Sequence, residues 1–237
     1  DTRHLVKIPG MDVVAVGKVQ AKVKGTFDNP TVRASVDLSR LDVPGAKLGR
    51  VRGDLTYRHG RRTLELDGIS GVTGRSSWKI PWAKMIFRPQ RKGGLYLDGE
   101  VVAEKLYIED LRAMGKLTRQ VPAELDGMIQ GQVVFEAEPD RKPIRLLADA
   151  DATVTGLSYR QQSLGDATVN VYWGDGILDV RSLQLTGGPA RVTVTGNADP
   201  GQGMSLWVHV TDVRTDRITL VDLEEKGLDS LDAQLDV

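Results

Sequence analysis

DNPTVRASVDLSRLDVPGAKLGRVRGDLTYRHG, the stretch from Asp28 to Gly60, decides the fold. Val32, Ala34, Val36 and Leu38 fall on one side of an extended chain, and Arg33, Ser35, Asp37 and Ser39 on the other. Beyond the Pro44-Gly45 pair, Val51, Leu55 and Tyr57 share a side opposite Arg50, Arg52, Asp54 and Thr56. Successive side chains of a strand point to opposite faces, so an alternation of period two marks a sheet with one apolar and one wetted face. Asn29-Pro30 and Pro44-Gly45 bound the two strands with turn residues. The stretch predicts a hairpin.

The same pattern continues outward on both sides. Val19, Ala21 and Val23 alternate with Lys18, Gln20, Lys22 and Lys24, a lysine row suited to a solvent-facing or edge strand that discourages unwanted pairing. Asp1 to Gly10 reads as irregular or edge-like. Leu64 and Leu66 point inward, and Ile69 falls off their parity, which predicts a register slip or bulge. In Ser76 to Phe87 the spacing puts Trp78, Ile80 and Trp82 on one face. Pro81 donates nothing to a ladder, so this strand is expected at an edge, bent or interrupted. Leu95, Leu97, Val101 and Ala103 give a further strand, and Glu109 to Gly115 reads as a helical turn or two closed by glycine. More strands follow from Leu125 to Phe135, Ile144 to Val154, Ala167 to Trp173, and onward to Val210. Gly196 to Pro200 reads as a turn and Asp216 to Gly227 as a second short helix.

The second half repeats the first. Leu48-Gly49 corresponds to Leu164-Gly165, Tyr57 to Trp173, and Leu106, Ile108, Asp110, Leu111 and Gly115 to Ile218, Leu220, Asp222, Leu223 and Gly227. The spacing is roughly 110 residues, giving approximate units 17–127 and 128–237 of a single continuous array. No tract rich in Pro, Gly or Ser separates them, so a flexible linker is not expected. Leu228 to Val237 alternates to the last residue. That predicts a piece of a longer protein, with any targeting segment outside it.

Composition removes several functional classes. Of 237 residues, 5% are aromatic and 40% hydrophobic, which argues against a thick, phenylalanine-rich core. Basic and acidic residues balance at 32 each, whereas a nucleic-acid binder carries a basic excess to neutralise phosphates. With no cysteine there is no disulfide, thiolate metal site or cysteine nucleophile. No apolar run approaches the length of a membrane-spanning helix. His4, His59 and His209 stand far apart, none at metal-ligand spacing with an acid. No glycine-rich loop joins a strand to a helix as nucleotide-binding motifs require. Asp149 and Asp151 share a strand face, but outward solvation explains them more simply than paired-carboxylate chemistry. No catalysis, metal or cofactor is expected.

The turn Gly25 to Pro30, the alternating strand after it, the Leu48-Gly49 opening of the next strand, and the Tyr57 to Gly60 turn together resemble the TamB group of translocation and assembly module proteins, within the AsmA-like superfamily. Arg52 to Gly60 is the most typical fragment. Glu104 to Leu117, followed by the strand from Leu125, resembles the link between units of AsmA-like proteins. The resemblance covers nearly the whole chain, and its motifs record β geometry rather than catalysis. The pattern Trp78-Lys-Ile-Pro-Trp82 departs from the family's turn scheme.

The resemblance implies a long, curved, gutter-shaped sheet, a β-taco, with an apolar inner trough. It implies anchoring of the parent protein in the inner membrane of diderm bacteria, passage across the periplasm, and conduction of phospholipid towards the outer membrane. Assistance to outer-membrane protein assembly is the alternative role, with an Omp85-type β-barrel protein as partner. Alternation alone suits the interior of a closed sandwich equally well. Small inward residues and an open-ended repeat favour an extended object, and with the resemblance an open groove becomes the expectation. Its lining would be Val32, Ala34, Val36, Leu38, Val51, Leu55, Tyr57, Leu64 and Leu66 in the first unit. In the second it would be Leu146, Ala148, Ala150, Val169, Val171, Trp173, Leu178, Val180, Val192, Val194, Leu206 and Val208. Trp78, Trp82, Trp173 and Trp207 suit either groove rims or ordinary packing. Arg50, Arg52, Arg58, Arg61 and Arg62 suit lipid phosphates less well than an outer face paired across strands with Asp54, Glu65 and Asp67.

Overall fold

The computed structural model describes residues 4–7, 13–43, 45–87, 94–115, 121–141, 144–199, 203–213 and 234–235. Of these, 81% lie in strands. The strands enter one sheet in the order of the sequence: β1 (His4–Lys7), β2 (Val14–Thr26), β3 (Asn29–Val43), β4 (Ala46–Arg58), β5 (Thr63–Thr73), β6 (Ser76–Phe87), β7 (Leu95–Tyr107), β8 (Leu125–Glu138), β9 (Arg145–Tyr159), β10 (Gln162–Gly174), β11 (Ile177–Gly187), β12 (Arg191–Asp199), β13 (Gly203–Thr211) and β14 (Gln234–Leu235). Neighbours are antiparallel, except that β14 lies parallel to β13. β1 and β14 stand at opposite ends and do not meet, so the sheet is open and curved rather than closed into a barrel. One short helix among the described residues, α1 (Ile108–Met114), joins β7 to β8.

Sequential order follows from the sequence pattern, because each alternating segment finds its partner across the next turn. Strand lengths run 15, 13 and 11 residues in β3, β4 and β5, and again in β9, β10 and β11. Leu48-Gly49 and Leu164-Gly165 hold the same places in β4 and β10, as do Tyr57 and Trp173. The landmarks from Ile218 to Gly227, and the helix expected there, lie outside the described residues.

Several local expectations change. The irregularity expected at Ile69 is present: Gly68, at φ +58°, interrupts β5, and the β4–β5 register slips there. Pro81 lies opposite on β6, whose register with β7 slips between Lys79 and Ala83. Both strands switch parity together at this point. Trp78 and Ile80 therefore share the apolar face as expected, but Trp82 does not join them. It stands opposite Asp67 on the wetted face, 42% exposed, and its Nε1–H donates to Glu100 Oε2 at 3.2 Å. Gly115 closes α1 as expected, in extended backbone (φ −167°), and forms a bridge with Ala46. Gly196 to Asp199 does not turn but completes β12. Within Asp1 to Gly10, His4–Lys7 forms a regular edge strand against Val14–Gly17.

Leu38, Val51, Ile69 and Trp78 pack into a buried apolar cluster spanning β3 to β6, with Met114 of α1 against it. The Trp78 ring lies over Gly71 on the neighbouring strand, where a Cβ would stand 2.0 Å from ring atom Cζ2. The indole N–H donates to Thr73 Oγ1 at 3.4 Å, and that hydroxyl donates to the Leu48 carbonyl at 2.7 Å. A buried tryptophan thus keeps its polar atom satisfied. Gly71→Ala should displace the ring and destabilise the sheet by about 1–3 kcal/mol, the usual cost of overpacking. Urea titration should also show that Trp78→Leu in the same protein recovers part of that loss. Simple additivity of the two substitutions would contradict the contact.

Candidate functional site

Directly opposed residues of neighbouring strands share a face, so the register traces what lies across the sheet. One row runs Ala21, Ala34, Leu55, Leu66, Ala83, Gly99, Phe135, Ala148, Trp173, Leu178, Ala198 and Met204, without a break from β2 to β13. A second runs Leu38, Val51, Gly71, Trp78, Ala103, Gly131, Ala152, Val169, Leu183, Val194 and Val208, from β3 to β13. Val101, Val133, Ala150, Val171, Val180, Gly196 and Leu206 form a third from β7. Val32, Tyr57, Leu64 and Leu146 lie on a fourth, through Met85, Leu97 and Ala137. Val36 opposes Val19, and Val192 opposes Leu185 and Val210. Every lining residue expected from the sequence therefore stands on one face. No charged side chain interrupts these rows. At about 4.8 Å per strand, the longest row covers roughly 50 Å.

This face is neither a closed core nor uniformly open. Around the cluster at β3–β6 it is buried, with Val51 4% exposed. Elsewhere most of its side chains are half-buried, and Val19, Val23, Leu146 and Met204 are exposed. Among the described residues no second sheet covers it. Residues that sequence reading left out of the lining, notably Ala83 and Met85, belong to the rows because of the parity switch at Gly68 and Pro81. Simple alternation through Trp82 hides it.

Helix α1 caps one rim of the face. Ile108 is buried, and the helix packs against β4, β7 and β8. Asp110 holds it in place: one carboxylate oxygen accepts from the Arg75 backbone N–H at 2.8 Å and from Ser76 Oγ at 2.7 Å. Ser76 is fully buried, and its hydroxyl oxygen accepts from the Tyr107 N–H at 2.9 Å. Arg112 donates to the Pro122 and Leu125 carbonyls, both at 2.7 Å. Arg75 pairs with Glu109 at 2.9 Å and stacks 4.2 Å above the Tyr107 ring.

The opposite face carries the charges. Arg58 pairs with Glu65 at 2.9 Å, and Arg52 with Asp37 at 2.8 Å rather than with Asp54, which accepts from Ser35 instead. Arg61 and Arg62 sit exposed in the β4–β5 turn. Asp149 is held by Arg181 at 3.0 Å, and Asp151 accepts from the Asn170 amide, so the two carboxylates do not act as a pair. Trp173 lies on the apolar face, whereas Trp207, opposite Thr195, is 76% exposed on the wetted one. His59 meets Tyr57 at 3.5 Å, and His209 opposes Thr193. Among the described residues no group of three or more His, Cys, Asp or Glu is arranged to hold a metal ion.

Two hollows open on this wetted face, and sequence reading did not foresee either. The first, about 590 Å³, spans β2 to β5 and is lined by charged side chains, among them Lys22, Arg33, Asp54, Arg58, Glu65 and Asp67. The second, about 530 Å³, spans β7 to β11, and its amides and hydroxyls stand beside Val102, Ala152, Val169 and Asp151.

No family model, curated protein or solved structure matches the chain.

Removing the Asp110 acceptor strands two donors at the helix cap. Asp110→Ala should cost about 1–3 kcal/mol in urea unfolding and speed amide exchange across Ile108–Met114, and Asp110→Asn should lose less. Unchanged exchange in the alanine variant would show that the cap is held by other contacts.

Proposed function

We propose that this chain is a segment of a lipid conduit: a TamB-like bridge that carries phospholipids along its apolar face between inner and outer membranes, with head groups left in water. The observation that carries this reading is the set of uncharged apolar rows crossing the sheet from β2 to β13, perpendicular to the strands. Each acyl methylene taken from water contributes roughly 0.8 kcal/mol. Rows built mainly from Ala, Val, Leu and Gly, with an occasional aromatic such as Phe135 or Trp173, carry no polar group that would hold an acyl chain at one strand. The mechanism is partition and sliding, and no residue donates a proton or attacks a bond. The proposal places the chain in the periplasm and the anchor in the inner membrane, in parts of the parent protein outside this chain. Among the described residues no helix is long and apolar enough to cross a membrane.

A second reading rests on a different observation. Beyond Gly17, β2 pairs only with β3 among the described residues, leaving an edge on which Val19 is 54% and Val23 68% exposed. Such an edge accepts an added strand, as assistance to outer-membrane barrel assembly would require. Phospholipid extracted from the purified protein favours the conduit, and a peptide captured along β2 favours the scaffold.

Val171→Asp tests the conduit. Val171 is half-buried between Ala150 and Val180 on the apolar face. In a sealed core an unpartnered carboxylate costs several kcal/mol, a large share of a typical stability of about 5–15 kcal/mol. In a trough open to water the carboxylate is hydrated when lipid is absent. The expected outcome is a folded protein, a modest loss in melting temperature and a marked loss of phospholipid capture by native mass spectrometry. Outright unfolding, or capture equal to the parent, overturns the open-trough reading.

A further inference from the structure

The two hollows on the wetted face overlap on corresponding strands of the two halves, β2 to β5 and β8 to β11, and the second also reaches β7 at Val102. Their shape therefore follows from the repeated coil of the sheet. Their chemistry does not. In the first, charges answer each other: Arg58 pairs with Glu65, and Ser35 donates to Asp54. The second contains no Lys, Arg or His. Its polar lining comes from Gln130, Gln132, Thr153, Thr168, Asn170 and Ser182, with Asp151 the one acid.

The register arranges these groups as a lattice. Gln132, Asp151, Asn170 and Ser182 are directly opposed on successive strands, and Gln130, Thr153 and Thr168 form the adjoining row. Neighbouring rows on one face of a strand lie two residues apart, about 7 Å, and neighbouring strands about 4.8 Å apart. Asp151 accepts from the Asn170 amide through one of its carboxylate oxygens and keeps its negative charge. Gln130 donates to the Glu104 carbonyl at 3.0 Å. Gln132 and Thr168 make no side-chain hydrogen bond among the described residues. The hollow thus offers donors and acceptors side by side, without net positive charge, over several strands.

We propose that this hollow binds a neutral glycan chain laid across β8 to β11. A carboxamide or hydroxyl both donates and accepts, as each sugar hydroxyl does, so the two lattices satisfy one another. An anionic polymer would meet Asp151 with no cation in the lining to offset it, since the neighbouring Arg181 is paired with Asp149. A peptide strand would find the sheet's backbone groups here already committed to the ladders on both sides. No aromatic ring lines the hollow, so hydrogen bonds carry the affinity, and water competes for each of them.

The test uses the whole chain, isotopically labelled, with three probes at millimolar concentration: cellohexaose, hexa-N-acetylchitohexaose and a sulfated heparin hexasaccharide. A neutral oligosaccharide should shift the backbone amides of 130–132, 151–153 and 168–170 saturably, and the sulfated one should leave them unmoved. Asn170→Ala and Gln132→Ala lie on the solvated face, and each should weaken binding about tenfold, the effect of about 1.4 kcal/mol. Ser35→Ala, in the charged hollow of the first repeat, should leave it unchanged. Absence of shifts with both neutral probes overturns the proposal. So do equal shifts with the sulfated probe, or neutral binding that survives both substitutions at unchanged circular dichroism.

Discussion

Cross-strand register is the constraint on which the rest of this structure depends. A slip of one residue between two strands would turn every apolar side chain of one of them to water. Here twelve strands keep their rows in line although bulges interrupt several pairings. Between β5 and β6 the face is kept because both partners adjust. Gly68 and Pro81 lie opposite each other and switch parity together, so Leu66 still meets Ala83 and Ile69 still meets Ile80. The resulting strand bends contribute to the coil that makes the sheet a curved surface rather than a plate.

A single sheet open on one side cannot draw stability from a thick interior. Its buried apolar residues are few among those described: Ala34, Leu38, Val51, Ile69, Trp78, Ile108, Ala167 and Val180. Half of these form the cluster near α1. The remainder of the holding force is distributed, strand against strand, as in other repeat arrays. Surface ion pairs such as Arg52–Asp37 add little individually, since exposed pairs typically contribute about 0–1 kcal/mol. Their sign pattern has a second consequence: it makes the wetted face unsuitable for apolar ligands along β2 to β7, leaving the two faces chemically distinct.

Much of this was legible in the sequence. Alternation around Val32 to Leu38 and Val51 to Tyr57 gave strand, face and hairpin together, because period two admits few other readings. The lysine row of β2 suited a solvent-facing or edge strand, and beyond Gly17 that segment has β3 alone as its partner among the described residues. What alternation could not supply was the point at which parity changes, so Trp82 was read with Trp78 when it faces Asp67. Ile69 signalled the same event one strand earlier, but linking the two requires the pairing. Likewise Gly115 was legible as the end of a helical turn, but its bridge to Ala46 was not. The hollows were not legible, because concavity of the wetted face depends on coil accumulated over several strands. The contrast in their lining was written in the middle outward positions of β8 to β11, where Gln130, Gln132, Thr153, Thr168, Asn170 and Ser182 stand between charged residues nearer the strand ends.

Strictly sequential strand order also makes the sheet a ruler. Inserting or deleting one hairpin between β2 and β13 leaves every other pairing untouched, because these strands enter the sheet in the order of the sequence. Each such event changes the length across the strands by about 10 Å, two interstrand spacings, and preserves which face is apolar. An odd number of strands would instead reverse the direction of everything downstream. Evolution can therefore tune the span of this object in discrete increments, independently of the chemistry on either face. The strand lengths of 15, 13 and 11 residues recur in the same order in β3 to β5 and β9 to β11.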